Sequence, residues 1–348
     1  MDLEFKRRGI VSEFESPFAD FKTVQVSGEI RSCPLSHHVT RVLPARLREF
    51  ARFDPQPVIA RSKELGCPFC PESIERKTPR FPSSIAPDGG RIRLGETTVF
   101  PNAFPYDEFS AVAVVSKEHF LSLNQFTPQL IQDALAACLL YLRRAKAAFP
   151  DARQALLNWN YMPQAGAGIV HPHFQAAALS EPTVYYRSII EKQRRYDDSG
   201  KKSLFQDLVA RELAEQKRYI AATGPWHWLM AYAPRGLYEF WGIFDLAGNL
   251  LAMEPHLQDL AAGIHTILSF LDGKGIQALN MSLYSFYDPE VRGLRNFLSI
   301  LPRVHFLPLG TSDVNYFNRL HGESITSAPP ETVTPEVSPY FKKNVPPV

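Results

Sequence analysis

Cysteine is scarce in this chain, and long apolar runs are missing. Four cysteines in 348 residues do not make a disulfide framework for a chain of this size. The charged opening stretch holds no leader-like apolar segment, so no secretion signal is expected. No apolar run reaches the roughly 18 residues of a spanning helix, which excludes a helical membrane anchor. Charge is nearly balanced, at +2 overall, with no long basic run, and this argues against a dedicated nucleic-acid surface. These absences predict a cytoplasmic globular protein with room for one sizeable core or two. Proline, by contrast, is plentiful at 29 residues. It crowds around Cys67–Pro79 and beyond Gly310, and predicts long ordered loops and an extended C-terminal tail.

The few cysteines have different prospects. Cys138 falls on the apolar stripe of a predicted helix and reads as a small buried hydrophobe. Cys33 falls in a loop without an obvious partner. Cys67-Pro-Phe-Cys70 places two thiols three positions apart, enough for half of a tetrahedral metal site. A redox pair of this spacing wants a strand before it and a helix directly after. Here Pro71 and a polar run follow, so metal is the favoured reading.

Along the chain, residues 1–25 read as irregular and polar, and Val24–Arg31 as a strand. Arg46 and Arg48 stand in a basic segment suited to phosphate, because the guanidinium fork binds it bidentately; a solvated basic loop would look the same. Thr97–Asn102 and Ser110–Ser116 read as strands. A helix follows, with Thr127 as N-cap, Pro128 in its first turn and Leu130, Ile131, Ala134, Leu135, Cys138, Leu139 and Leu142 at helical spacing. Ala155–Met162 and His171–Leu179 read as strands around a Gly-rich turn. Residues 184–221 read as helical, broken at Gly200. The strand pair Trp226–Tyr232 and Tyr238–Phe244, a helix from Leu260 to Leu271, and strands Ala278–Phe286 and Leu298–Leu307 come next. The order of elements repeats, which predicts an internal duplication sharing one sheet.

Most of the possible chemistry lies in Gln164–Gln175. In a strand, residues two apart share a face, so His171, His173 and Gln175 could serve one site. The glycines let backbone N–H groups approach an anion. Histidine can ligate a metal, move a proton or attack as a nucleophile. Attack on an α-phosphorus would form a nucleotidyl-histidine and divide one transfer into two steps. Two packed histidines beside a turn are the bland alternative, and for an isolated pair the commoner one. Cys67, Cys70, His119 and His171 together would supply a Cys2His2 set for zinc, although spacing alone does not establish it.

The set Cys67-Pro-Phe-Cys70, Val99-Phe-Pro-Asn-Ala-Phe104, His119, Asn160, Gly166-Ala-Gly168 and His171-Pro-His-Phe-Gln175 resembles the galactose-1-phosphate uridylyltransferase branch of the histidine-triad superfamily. Arg31-Ser-Cys-Pro-Leu-Ser and Leu43-Pro-Ala-Arg46 resemble two further segments of that branch. The likeness covers about residues 28–180 and includes ADP-glucose phosphorylases and dinucleoside tetraphosphate phosphorylases. It implies an α+β fold of two duplicated histidine-triad-like halves, here 1–180 with the zinc site and the HPHxQ motif and 181–348 with the Pro-rich tail. It implies zinc on Cys67, Cys70, His119 and His171, and His173 as the nucleophile. The carbonyl following His173 would fix its tautomer. Gln175, Asn160 and Arg46 would contact phosphate and Asn102 the nucleoside, with Arg31, Gly166 and Gly168 lining the substrate. It also implies a homodimer. Glutamine at position 175, where hydrolases of the superfamily carry histidine, is the transferase-type pattern.

Three departures bear on specificity. Gly168 stands where related transferases usually carry serine, and Ala103 where they often carry aspartate. Arg303-Val-His305 keeps one histidine of a second metal site found in some members. Val314-Asn-Tyr-Phe317 ends in phenylalanine where a hexose-contacting carboxylate is usual, which unsettles the choice of sugar. The leading expectation is a zinc-containing nucleotidyltransferase passing a nucleoside monophosphate from a nucleotide sugar to a sugar 1-phosphate. The alternatives are a phosphorylase that uses inorganic phosphate on an ADP-sugar or dinucleoside polyphosphate, and a zinc-stabilised nucleotide-binding protein without catalysis.

Overall fold

The computed structural model describes residues 2–46, 50, 52–288 and 291–344. The chain opens with a hairpin, not the irregular segment expected for residues 1–25. Strands β1 (Arg7–Ser16) and β2 (Lys22–Ser32) pair antiparallel from Arg7↔Arg31 to Ser16↔Lys22. Nearly every β1 side chain is exposed. No face is buried, so the sequence lacks the alternation that reveals a strand. Strand β3 (Val39–Val42) extends β2. Two short helices follow, α1 (Gln56–Glu64) and α2 (Pro71–Lys77).

The next elements build half a sheet. Strands β4 (Ile92–Leu94), β5 (Thr97–Pro101) and β6 (Phe109–Val114) form a meander. Helix α3 (Pro128–Ala148) begins where the sequence predicts: the Thr127 side chain accepts the Leu130 N–H, and Pro128 sits in the first turn. Strands β7 (Gln154–Tyr161) and β8 (His173–Leu179) complete the unit. Helices α4 (Val184–Asp198) and α5 (Leu204–Glu215) lead to a second unit of the same order. It comprises β9 (Tyr219–Thr223), β10 (Trp226–Met230), β11 (Phe240–Phe244), α6 (Leu257–Gly273), β12 (Leu279–Phe286) and β13 (Phe297–Pro302).

All ten strands from β4 to β13 lie in one sheet, in the order β4-β5-β6-β8-β7-β12-β13-β11-β10-β9. Each half runs three strands, helix, two strands. The halves meet where β7 and β12 pair antiparallel, from Leu279↔Tyr161 to Phe286↔Gln154. This is the duplicated α+β architecture that the motifs implied. A small ribbon, β14 (His305–Phe306) with β15 (Thr311–Ser312), helix α7 (Tyr316–Leu320), strand β16 (Ser324–Thr326) and helix α8 (Pro330–Asn344) end the described chain. β16 lies parallel to β3.

Helix α8 replaces the extended tail expected after Gly310. Two prolines, Pro335 and Pro339, lie inside it. Proline removes an N–H and frees a carbonyl one turn back. Both prolines are exposed, so water can satisfy those carbonyls, while Val333, Val337 and Phe341 form the buried stripe four residues apart that holds the helix to the core.

The two faces of the sheet are covered differently. Helices α3, α6 and α8 pack together over one face in a single large core. On the other face, the second half lies under α4 and α5 with Tyr186, Phe205, Trp241 and Phe297 between. Over the first half the Cys67–Cys70 loop and α2 reach the sheet, meeting Phe100, Val112 and Val114 through Phe69 and Ile74, with Ile169 packed beside them. The remaining strip of that face is an open cleft. Among the described residues no helix is long and apolar enough to cross a membrane.

Candidate functional site

Cys67-Pro-Phe-Cys70 turns directly into α2, with Cys70 as its N-cap and Pro71 in its first turn. The absence of a helix after this pair was one reason to prefer metal over redox chemistry, and that reason fails. A better one replaces it. The loop after β6 brings His119, and the segment before β8 brings His171, to the two sulfurs. His119 Nδ1 lies 3.2 Å from Cys70 Sγ, and His171 Nδ1 lies 3.8 Å from Cys67 Sγ and 3.7 Å from Cys70 Sγ. The four ligand atoms all lie within 4.8 Å of one another. Tetrahedral zinc with bonds of about 2.0–2.3 Å needs ligand separations of roughly 3.3–3.8 Å, which these distances approach.

The protonation chemistry fits a cation in the centre. His171 Nε2 donates to the Ser116 carbonyl at 2.8 Å, so the Nδ1 lone pair faces the sulfurs. Burial pushes His171 down to about 4, and burial also lowers His119, so both rings are neutral and able to ligate. Burial, with the Cys67 sulfur beside it, pushes the Cys70 thiol up to about 12. Two thiolates this close repel unless a cation lies between them. These residues could therefore hold a metal ion. Among the described residues they form the one such cluster.

The strand expected from His171 starts at His173. His171 sits in the bend before it, so the two rings do not share a face: His171 turns to the sulfurs and His173 lines a cavity. Before the bend, Met162 at φ 70° and Gly166 at φ 90° turn the chain sharply; the left-handed value at Gly166 is one that glycine adopts without strain. His173 is 7% exposed. Its Nδ1 donates to the His171 carbonyl at 2.8 Å, which leaves Nε2 as the free ring nitrogen. The carbonyl is thus the one two residues before His173, not the one following it. Burial lowers the basicity of His173, and the bond to that carbonyl partly restores it.

The cavity over His173 measures about 420 Å³ and is walled by Phe69, Phe100 and Phe104, with Asn102 and Gly168 beside them. Gln175 lines it and also lines an adjoining groove of about 490 Å³, where Asn158, Asn160, Asn280, Ser282 and Arg235 stand. The sheet register makes this join, since Asn158 pairs with Gln175 and with Ser282. Gly168 also borders a third depression beside Arg61 of α1, and a Cβ placed on Gly168 would meet nothing within 4 Å.

The sequence candidates therefore divide. His173, Gln175, Asn102, Asn160 and Gly168 come together, with the Cys67–Cys70–His119–His171 cluster behind them; Gly166 shapes the turn. Arg31 is elsewhere, buried with Glu29 at 2.8 Å, Glu331 at 2.9 Å and the Tyr232 carbonyl at 3.3 Å. Arg46 closes a short turn, Pro44–Arg46; its side chain, like Arg48, lies outside the described residues. Arg303, where some relatives would carry a metal-ligating histidine, is clamped by Asp313 at 2.8–3.1 Å. Phe317 packs under the Arg41 guanidinium at 4.3 Å. Sequence reasoning missed Asn158, Asn280, Ser282 and Arg235. Polar residues two apart in the otherwise apolar Ala155–Tyr161 were the available signal for Asn158.

No family model matches the chain. An uncharacterized protein of Archaeoglobus fulgidus is 28% identical over 311 residues, covering 89% of this chain and 91% of that one. Among solved structures, an ADP-glucose phosphorylase from Arabidopsis thaliana with bound ADP-glucose superposes with a TM-score of 0.70 at 19% identity, over 89% of this chain and 98% of that one. A uridylyltransferase mutant gives 0.67 at 18%, over 92% and 99%, and a GalT-like protein from Arabidopsis thaliana 0.69 at 18%, over 89% and 98%. The fold is thus shared, over nearly the whole chain, with the branch that the motifs resembled.

Proposed function

We propose that the chain is a nucleotidyltransferase acting on nucleotide sugars, working by a ping-pong path through a nucleotidyl-histidine on His173. One observation carries this reading. A neutral, buried imidazole is held by its Nδ1 proton on a backbone carbonyl, and lines an aromatic-walled cavity that opens onto a polar groove. The walls suit a nucleobase, and Gly168 and Gln175 suit phosphate oxygens without adding charge.

The steps follow from these residues. His173 Nε2 attacks the α-phosphorus of a UDP- or ADP-sugar; the N–P bond forms as the bond to the sugar 1-phosphate oxygen breaks. The ring gains positive charge, which the Nδ1–H bond to the His171 carbonyl stabilises. An oxygen of the incoming sugar 1-phosphate then attacks the same phosphorus and displaces Nε2, restoring the neutral ring. Gln175 and Asn160 hold phosphate oxygens, and Asn102 the nucleoside. Zinc on Cys67, Cys70, His119 and His171 would supply a structural cross-link rather than a reacting centre. Such a cross-link would fix His171, whose carbonyl accepts the His173 Nδ1 proton.

A second reading, a phosphorylase in which inorganic phosphate is the acceptor, draws support from Gly168. With no side chain there, the cavity borders the depression at Arg61, which leaves room for a small anion. Residues 1–180 then form the half with the metal and the nucleophile, and 181–348 the half that walls the groove. We propose a cytoplasmic homodimer; sedimentation would test the dimer and cell fractionation the compartment. Incubation with labelled UDP-glucose and ADP-glucose should leave acid-labile nucleotide on the wild type and none on His173→Asn. Phosphate-dependent release of nucleoside diphosphate would select the phosphorylase. Tight nucleotide binding with neither label nor turnover would leave a binding protein and overturn both readings.

A further inference from the structure

The polarity of the groove is set from the second half of the chain. Arg303 can only donate, and it is pinned by Asp313. Its Nη1 meets Asn280 Oδ1 at 3.1 Å, so the oxygen end of that amide must face Arg303. The Asn280 NH2 end then donates to Asn160 Oδ1 at 2.7 Å and to the Ala165 carbonyl of the Gly turn at 2.8 Å. With its oxygen occupied, Asn160 has its NH2 end left for the groove. On the next pair of the same register, Ser282 donates its hydroxyl to Asn158 Oδ1 at 2.6 Å. Asn158 is left in the same orientation, opposite Gln175.

Two amides on one strand, each with its acceptor end tied down, form a row of donors. Arg235 stands further along the groove, paired with Glu239 at 2.9 Å and donating to Ser299 at 2.8 Å. Such a floor receives oxygens that accept and carry negative charge. Building on the proposed function, we propose that Asn158 is a further substrate-binding residue and that Asn280 is the positioning residue for Asn160. Together they make the groove a subsite for a phosphoryl group beyond the one bonded at His173, the leaving or incoming phosphate of the reaction. Asn280 reads the position of Arg303 and passes it to both Asn160 and the Gly turn, which ties the donor row to the two halves being in register.

Asn280→Asp tests this with almost no change of shape. A carboxylate still accepts from Arg303 but cannot donate, so Asn160 turns its NH2 end toward position 280 and its oxygen toward the groove. The probes are inorganic pyrophosphate, the non-transferable α,β-methylene-ADP and α,β-methylene-UDP, and AMP and UMP. Each is titrated calorimetrically into the metal-loaded full chain. Wild type should bind pyrophosphate and prefer the methylene diphosphates over the monophosphates. The variant should lose on the order of tenfold for pyrophosphate and the diphosphates, the worth of one charge-assisted hydrogen bond. AMP and UMP should change less than about twofold, with metal content as in wild type and a thermal midpoint lowered by the lost bond to the Ala165 carbonyl. Should Asn280→Asp not fold, Ser282→Ala, which frees Asn158, should produce the same selective loss at smaller size. Unchanged affinities, equal losses for mono- and diphosphates, or no pyrophosphate binding by wild type would each overturn the inference. Pyrophosphate binding by a chain that ignores every nucleotide would sustain the donor row and remove the proposed function. Nucleotide binding without any diphosphate preference would do the reverse.

Discussion

The two halves of the sheet occupy matching positions with opposite results. Gln175 pairs with Val112 and Asn158; in the second half Ser299 pairs with Trp241 and Ser282. His173 pairs with Val114, and its counterpart Phe297 pairs with Ile243. So phenylalanine stands at the register position of the candidate nucleophile, and its ring packs on Trp241 at 5.4 Å and Tyr284 at 5.8 Å beneath α5. Ser299 is tied to Glu239 and Arg235 at 2.8 Å each. One copy of the fold has filled its open face with aromatic core; the other has kept the face open, lined it with polar groups and stapled its rim with cysteines and histidines. The same backbone serves a site or a core according to what covers it.

The sharpest way to break this comparison is to exchange roles at the matched positions. His173→Asn should abolish nucleotide transfer, a loss on the order of 10⁴-fold or more for a removed nucleophile, with little change in thermal midpoint. Phe297→Leu should do the opposite, costing about 1–2 kcal/mol of stability for a partly filled cavity at nearly unchanged turnover; turnover assays and denaturant titration read both. Next in size is the staple. Cys67→Ser should reduce metal from about one ion per chain to a small fraction and destabilise by roughly 3–5 kcal/mol, the scale of a lost metal or buried network. Metal analysis beside calorimetric melting would show whether folding and metal are lost together.

A second fastening ties the C-terminal helix to both halves. Glu331 at the start of α8 meets Arg31 Nη1 at 2.9 Å and Arg218 Nη1 at 2.8 Å, and Arg218 also meets Glu212 at 2.8 Å. Burial works to raise the Glu331 carboxyl, but the two arginines outweigh it and hold it below its ordinary 4.5. The folded carboxyl is the stronger acid. Its contribution is therefore complete above about pH 4.5 and is lost as pH falls through the lower folded value. Glu331→Gln should cost about 1–3 kcal/mol at neutral pH, and the gap from wild type in urea midpoint should narrow as the pH is lowered below 4.5. The smallest effect is expected at Gly168→Ser. The site has space for the Cβ, so the fold should be untouched. One added hydroxyl beside the phosphate should lower KM by about two- to fivefold, the value of one hydrogen bond.

The motifs were legible because their chemistry is dense: Cys67, Cys70, His119, His171 and His173 are residue types with few bland uses, and the structure brings the four ligands together and leaves His173 on the cavity. The split between the two histidines followed from that set, yet its cause was hidden. His171 precedes the strand instead of lying in it, a two-residue difference in where β8 begins that periodicity does not resolve. The groove was less legible, since Asn280 and Ser282 matter through cross-strand partners more than a hundred residues away in sequence. The hairpin and α8 were missed for opposite reasons: one has no buried face to make a pattern, and the other hides its pattern behind prolines that solvent tolerates.

The parallel pairing of β16 with β3 has a consequence for how the chain comes to be made. Thr40, Arg41 and Val42 pair on one side with Arg31, Ile30 and Glu29 of β2, but on the other with Ser324, Ile325 and Thr326, and Arg31 gains Glu331 later still. On a ribosome the segment that emerges early must therefore wait, with one strand edge unpaired, until nearly all the described chain has followed. The large sheet can close first around β7 and β12, while the first-made strands are among the last to be secured.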